Sequence, residues 1–133
     1  MVLSKFERHL TMTETRISLG MRYVIVVAGA TSIADRHRLP DPESVRAFLM
    51  KPGAGVLLKR GTWHALNCFT VGELFADSAF INEIEAEAEL VNIDDPGQLE
   101  RTHIVDVDSA DWEFKVADPD ELMSHTWQPK EGR

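Results

Sequence analysis

At 133 residues the chain has the length of one domain, and 44% hydrophobic with 27% charged residues is an ordinary globular composition. Its net charge of −8 is uneven: residues 1–76 carry 10 Lys and Arg against 6 Asp and Glu, and residues 77–133 carry 4 against 16. The acidic half repels phosphate and argues against nucleic acid as a partner, and no apolar run nears the ~18 residues of a membrane span.

Met1 to His9 holds no apolar stretch of signal-peptide length, and the single cysteine, Cys68, has no internal disulfide partner. Both fit a cytoplasmic protein. Ile17 to Ala28 is apolar and β-branched, interrupted at Gly20, which predicts two strands meeting near Gly20-Met21. Thr31 to Glu43 holds Pro40 and Pro42 without a helical stripe and reads as a surface loop. Val45 to Met50 alternates as a strand, closed by Pro52-Gly53. Val56 to Lys59 and His64 to Val71 follow as strands around the Arg60-Gly61-Thr62 turn, with Glu73 to Ala76 as a further short one.

From Ile84 to Ile93 the period is two: Glu83, Glu85, Glu87 and Glu89 fall on one face, and Ile84, Ala86, Ala88 and Leu90 on the other. That predicts a half-exposed strand. A helix is the rival, because Glu and Ala are good helix formers. Ile104 to Val107 and Trp112 to Val116 are two more strands, and Asp120 to Ser124 is a short helix within a loose tail over 118–133. Short strands at spacings of about 8–12 residues, set off by Gly and Pro turns, predict one all-β domain over 1–133. The architecture expected is an antiparallel jelly-roll barrel with little helix.

Candidate chemistry gathers in the first half. Glu7 and His9 lie two apart, so on a strand they share a face, and Glu14 follows His9 closely. His64 ends the Gly61-Thr62-Trp63-His64 stretch, and with it four oxygen or nitrogen donors are candidates to converge. Two His and two carboxylates suit one divalent metal: Mn, Fe, Ni or Zn. The competing reading makes Glu7 and His9 an ordinary surface pair. His64 is a candidate general base or metal ligand, set against a satisfied core histidine.

Leu57-Leu58-Lys59-Arg60 straddles both faces of its strand, so one of the two cations is expected to face inward. A substrate carboxylate would pair it there. The alternative leaves both solvated at the strand end. Arg46, between Val45 and Ala47, reads as an exposed-face residue. Trp63 reads as packing and Cys68 as a buried thiol, while His37, His103 and His125 have no supporting pattern.

Glu7-Arg8-His9 with Glu14 resembles the first motif of the cupin superfamily, a His-x-His pair followed by Glu, with Glu7 in the place of the first His. Gly53 to His64 resembles the second motif. From Phe6 to about Asp77 the wording resembles the ureidoglycolate lyase family. The matching features are Glu7-Arg8-His9, the strand pair ending in Val24-Ile25-Val26-Val27-Ala28, Arg46-Ala47-Phe48, Gly55-Val56 and Gly61-Thr62-Trp63-His64. The resemblance implies a cupin-fold enzyme of purine and allantoin breakdown. Such enzymes split ureidoglycolate into glyoxylate and urea and commonly form dimers.

Carried over by position, His9 and His64 would line the pocket, Glu14 falls where the family often has Gln, and Lys59 and Arg60 fall at a basic stretch. Ala65 stands where the family often has a second His, and Asp77-Ser78 where it often reads Asp-Arg. Family members usually carry a further N-terminal segment, and this chain has an acidic C-terminal extension instead. These departures bear on the substrate more than on the fold.

The expectation is a carbon–nitrogen lyase that releases urea, or a related nitrogen leaving group, from a small anionic 2-hydroxy acid. His64 or Glu14 would take the hydroxyl proton, and His9 or Glu7 would protonate the leaving nitrogen. Lys59, Arg60 and Arg46 are the substrate-binding candidates; Glu7, His9, Glu14 and His64 are the metal ligands. A homodimer is expected, with the Ile84 to Ile93 strand covering an open edge. The alternatives are a metal-dependent cupin lyase, isomerase or oxygenase of another pathway, and a non-catalytic cupin that binds a small acid.

Overall fold

The computed structural model describes residues 3–66, 68–71, 78–81 and 101–107. The strands expected at Glu73 to Ala76, Ile84 to Ile93 and Trp112 to Val116, the helix at Asp120 to Ser124 and the tail over 118–133 lie outside these residues. Among the described residues the fold is all-β, antiparallel throughout and cupin-like, with no α-helix. No helix there is long and apolar enough to cross a membrane.

The strands are β1 (Lys5–His9), β2 (Glu14–Ser18), β3 (Tyr23–Ala28), β4 (Arg46–Met50), β5 (Gly55–Leu58), β6 (Trp63–Ala65), β7 (Phe69–Thr70), β8 (Ser78–Ile81) and β9 (Thr102–Asp106). They form two sheets. The larger runs β4-β3-β6-β1-β9, with β7 also pairing β3, and the smaller runs β5-β2-β8. One 3₁₀ turn, Pro42–Ser44, interrupts the expected loop before β4; the Asp41 side chain caps it by accepting from the Glu43 N–H.

The unbroken apolar run of β3 follows from its central place in the larger sheet, which is covered on both faces. Tyr23 and Ile25 pack with Met50 and Leu58 toward the smaller sheet. Val24, Val26 and Ala28 pack on the opposite face with Leu3, Phe6, Trp63, Ala65 and Val105. Arg8 anchors this second face. It is fully buried and lies 4.8 Å from the Trp63 ring centre. Its guanidinium donates to Thr31 Oγ1 and to the carbonyls of Ser32 and Asp35. The loop after β3 is thereby held over β1 and β6, the two strands that carry Glu7, His9 and His64.

The single strand expected from His64 to Val71 is two strands instead. Val27 pairs His64, but Val24 pairs Phe69, so three steps along β3 face five along the other chain. The pairing with β3 is thus offset by two residues between β6 and β7. An even number of extra residues preserves the alternation, and Cys68 still packs on the side of Tyr23 and Ile25.

The turns between β4 and β5 and between β5 and β6 use glycine at φ +78°, at Gly53 and Gly61. In each, the residue after the glycine donates to the carbonyl three positions earlier: Ala54 to Lys51 at 2.9 Å and Thr62 to Lys59 at 3.0 Å. Gly61 is the tighter case. Its N–H donates to the His9 carbonyl, its carbonyl accepts from Thr31 N–H, and a Cβ there would meet the Thr31 carbonyl oxygen at 2.8 Å. Gly61→Ala is therefore expected to destabilise the protein by about 1–3 kcal/mol, the range for a strained backbone position. Urea unfolding measures it, and an unchanged midpoint would mean that the contact to Thr31 is not constraining.

Candidate active site

The site lies between the two sheets and is built by alternation. On β1, Phe6 and Arg8 face one way, and Glu7 and His9 the other. His64 on β6 is Glu7's partner in register, so it joins the same face. The smaller sheet presents Glu14 and Arg16 from β2. All five side chains are buried, none more than 9% exposed. One ligand-type atom from each of Glu7, His9, Glu14 and His64 lies within 4.8 Å of the others.

Arg16 sits among them. Its Nε donates to Glu14 Oε1. Its Nη2 lies 3.1 Å from His64 Nδ1 and 3.7 Å from Glu7 Oε1, and its Nη1 lies 3.3 Å from Cys68 Sγ and 3.5 Å from the Ala65 carbonyl. Phe80, across β8, covers the guanidinium at 5.0 Å. His9 is held at both nitrogens, by Glu14 Oε2 and by Thr102 Oγ1, each at 3.0 Å. The His9 and His64 rings are 5.3 Å apart.

A guanidinium only donates, so His64 Nδ1 accepts in its contact with Arg16. At 3.1 Å that contact is shorter than those through which Nδ1 would donate, to the Ala65 carbonyl at 3.4 Å or to Glu7 Oε1 at 3.5 Å. The proton of neutral His64 then sits on Nε2, a buried atom with no hydrogen-bond partner among the described residues. An unmet donor of this kind costs about 1–3 kcal/mol and calls for an acceptor that is not a side chain of the site. The Tyr23 hydroxyl, on the same face of β3, is likewise buried without a partner.

The environments push the groups apart. Burial raises the Glu7 carboxyl to about 7, only partly offset by His9 and Arg16. Burial also works to raise Glu14, but the His9 hydrogen bond and nearby positive charge, Arg16 included, outweigh it and hold Glu14 at about 2. Burial lowers His64 to about 3, and Arg16 adds to that against the pull of Glu14. Burial pulls Arg16 down, but Glu14 more than restores it, so its guanidinium stays charged.

Linkage turns these shifts into a stability profile for the metal-free protein. Glu7, raised above its ordinary 4.5, contributes stability that is lost as pH rises through about 7. Glu14 and His64, lowered from 4.5 and 6.5, contribute stability that is lost as pH falls toward about 2 and about 3. Between 4.5 and 6.5 the unfolded chain carries the His64 proton and the folded one the Glu7 proton, so these groups leave stability flat there. Below 4.5 the unfolded chain holds two more protons at these three positions. Thermal unfolding across pH is expected to show a plateau near pH 5–6 with a steep fall on the acid side, and a steady decline from pH 6 would contradict the assignment.

The structure brings Glu7, His9, Glu14 and His64 together. It does not bring Lys59, Arg60 or Arg46 to them. β5 ends at Leu58, so Lys59 and Arg60 occupy the first two positions of the Gly61 turn and both are exposed. The expectation that one of the two faces inward is corrected by that early strand end. Arg46 shares a row with Val27 and His64 but is exposed on β4, where its guanidinium donates to the Glu43 and Val45 carbonyls. Arg16 was not singled out from the sequence. Its signal was available, because a residue two beyond an inward Glu14 on one strand faces inward too. Tyr23 and Thr102 had no comparable signal.

The four donors could hold a metal ion, and in type they suit a divalent one. Ligation through His64 Nε2 requires its proton to move to Nδ1, and so requires Arg16 to leave that atom. An antiparallel, cupin-like β fold with a buried Glu/His cluster between its two sheets defines the class. The ureidoglycolate lyase family model matches residues 2–100, and the chain belongs to that family. No curated protein and no solved structure matches it.

Proposed function

We propose that the protein is a carbon–nitrogen lyase that releases urea, or a related nitrogen leaving group, from a small 2-hydroxy acid such as ureidoglycolate. The observation that carries this reading is the buried convergence of Glu7, His9, Glu14 and His64 around Arg16 in a chain of this family. The reaction needs a base for the carbinol hydroxyl and an acid for the departing nitrogen. Glu7, near 7, is populated in both forms at neutral pH and is the base in this proposal. Glu14 at about 2 and His64 at about 3 hold protons too weakly for that role.

As the hydroxyl proton passes to Glu7, the carbonyl forms, the carbon–nitrogen bond breaks and its electron pair leaves with nitrogen. His9 supplies the proton that nitrogen takes, giving up one of its contacts to Glu14 and Thr102 as it does so. The His64 Nε2–H donates to the substrate oxygen on which charge gathers. Lys59 and Arg60, in the turn whose Gly61 N–H bonds the His9 carbonyl, would draw an anion toward the site. If one divalent ion is bound (Mn, Fe, Ni or Zn), Glu7, His9, Glu14 and His64 would hold it, and it would stabilise negative charge on that oxygen. The assembly we propose is a cytoplasmic homodimer, favoured by the exposed Leu57 and Ile81 that flank Thr15 on the outer face of the smaller sheet.

The test is urea release from ureidoglycolate and from related ureido and amido 2-hydroxy acids, with metal content measured on the same preparation. Equimolar urea and glyoxylate from ureidoglycolate is the expected result. Binding of these acids without turnover would instead make the protein an acid-binding module. Turnover lost on chelation and restored by one metal would assign the metal-assisted form.

A further inference from the structure

A 2-hydroxy acid is an anion, and its carboxylate needs a cation when it leaves water. Among the described residues of the cluster, Arg16 is the one fixed cation. Its five N–H donors are unevenly used. Nε is committed to Glu14. Of the contacts from the two Nη atoms, only that to His64 Nδ1, at 3.1 Å, is within the ordinary N–H···acceptor range of about 2.7–3.2 Å. The others, to Glu7 at 3.7 Å and the Ala65 carbonyl at 3.5 Å, are longer, and the Cys68 thiol at 3.3 Å is a weak acceptor.

Glu14 therefore orients the guanidinium while leaving its two Nη atoms under-used, and such a pair can give a carboxylate two parallel bonds. A second observation asks for a ligand beside it: His64 Nε2 is buried and without a hydrogen-bond partner among the described residues, on the ring whose Nδ1 Arg16 touches, and the carbinol oxygen of the same acid would meet it.

We propose that Arg16 is the residue that receives the carboxylate of the bound acid, through its Nη edge, with Glu14 as its positioning residue. The proposal rests on the lyase reading above for the nature of the ligand. It departs from the sequence expectation, which gave this role to Lys59, Arg60 and Arg46.

The experiment compares glycolate with glycolamide, the same skeleton without the charge, by calorimetric titration of the purified protein with its metal content recorded. Wild type is expected to prefer glycolate. Arg16→Lys keeps a charge for Glu14, and so the fold, but loses the two-pronged geometry. It is expected to reduce the preference by about 10–100-fold, the worth of hydrogen bonds to a charged group. The double variant Glu14→Leu/Arg16→Met, which buries no unpaired charge, should abolish it. Lys59→Gln/Arg60→Gln, which removes only the long-range draw on an anion, should weaken it less than Arg16→Lys does.

A preference that survives Arg16→Lys and the double variant overturns the proposal; if it then falls in Lys59→Gln/Arg60→Gln, the anionic-substrate reading stands with different residues. No preference in wild type defeats the proposal together with that reading.

Discussion

Glu7→Gln is expected to lower urea release by about 10²–10⁴-fold, the range for losing an acid–base group, while the protein stays folded. Glutamine matches the shape of the carboxyl and cannot titrate. Burial already holds Glu7 near 7, so a neutral isostere removes a charge that the site accommodates poorly. Stability above pH 7 should therefore be equal or higher in the variant.

His64→Ala supplies the contrast. His64 stays neutral at about 3, so its loss removes a donor, worth about 10²–10³ in rate, and not a titrating group. The pH–rate limb near 7 should persist in His64→Ala and vanish in Glu7→Gln. Metal content, measured for both variants, separates loss of a ligand from loss of a base. A Glu7→Gln enzyme with the wild-type rate would show that Glu7 carries no proton in the reaction.

Glu14→Ala is expected to cost about 3–5 kcal/mol, the range for removing one partner of a buried ion pair. Glu14 and Arg16 are 3% and 2% exposed, and with Glu14 gone the guanidinium keeps only a distant and half-protonated Glu7 as counter-ion. His9 also loses its partner at Nε2. The double variant Glu14→Leu/Arg16→Met should recover most of the loss, because no uncompensated charge remains between the sheets. Denaturant unfolding of both variants at pH 7 measures this. A Glu14→Ala protein as stable as wild type would mean that Arg16 reaches water or another anion when released.

Strand alternation made much of the site legible. Glu7 and His9, two apart, were bound to share a face, and the Gly61 turn ahead of Trp63-His64 gave His64 a strand of its own. The same rule applied one step further would have found Arg16 beside Glu14. Arg16 escapes the apolar, β-branched pattern because that pattern begins only at Ile17, three residues after β2 does. Lys59 and Arg60 failed in the opposite way, because the strand was extended one residue into a turn that Gly61 already owned. The two-residue offset between β6 and β7 had no sequence signature, since an even offset leaves the alternation from His64 to Thr70 unchanged.

The sequence alone determined the β class, the shared face of Glu7 and His9 and the family, because these depend on local periodicity and on residues close together in the chain. Tertiary structure alone decided that the smaller sheet sets Glu14 and Arg16 against Glu7, His9 and His64. It also decided which carboxyl holds a proton near neutrality. Glu7 and Glu14 are chemically alike, and their separation to about 7 and about 2 comes from burial in one case and from His9 and Arg16 in the other. Those partners meet only when two sheets close on each other, and no spacing along the chain records which carboxylate a buried arginine will reach.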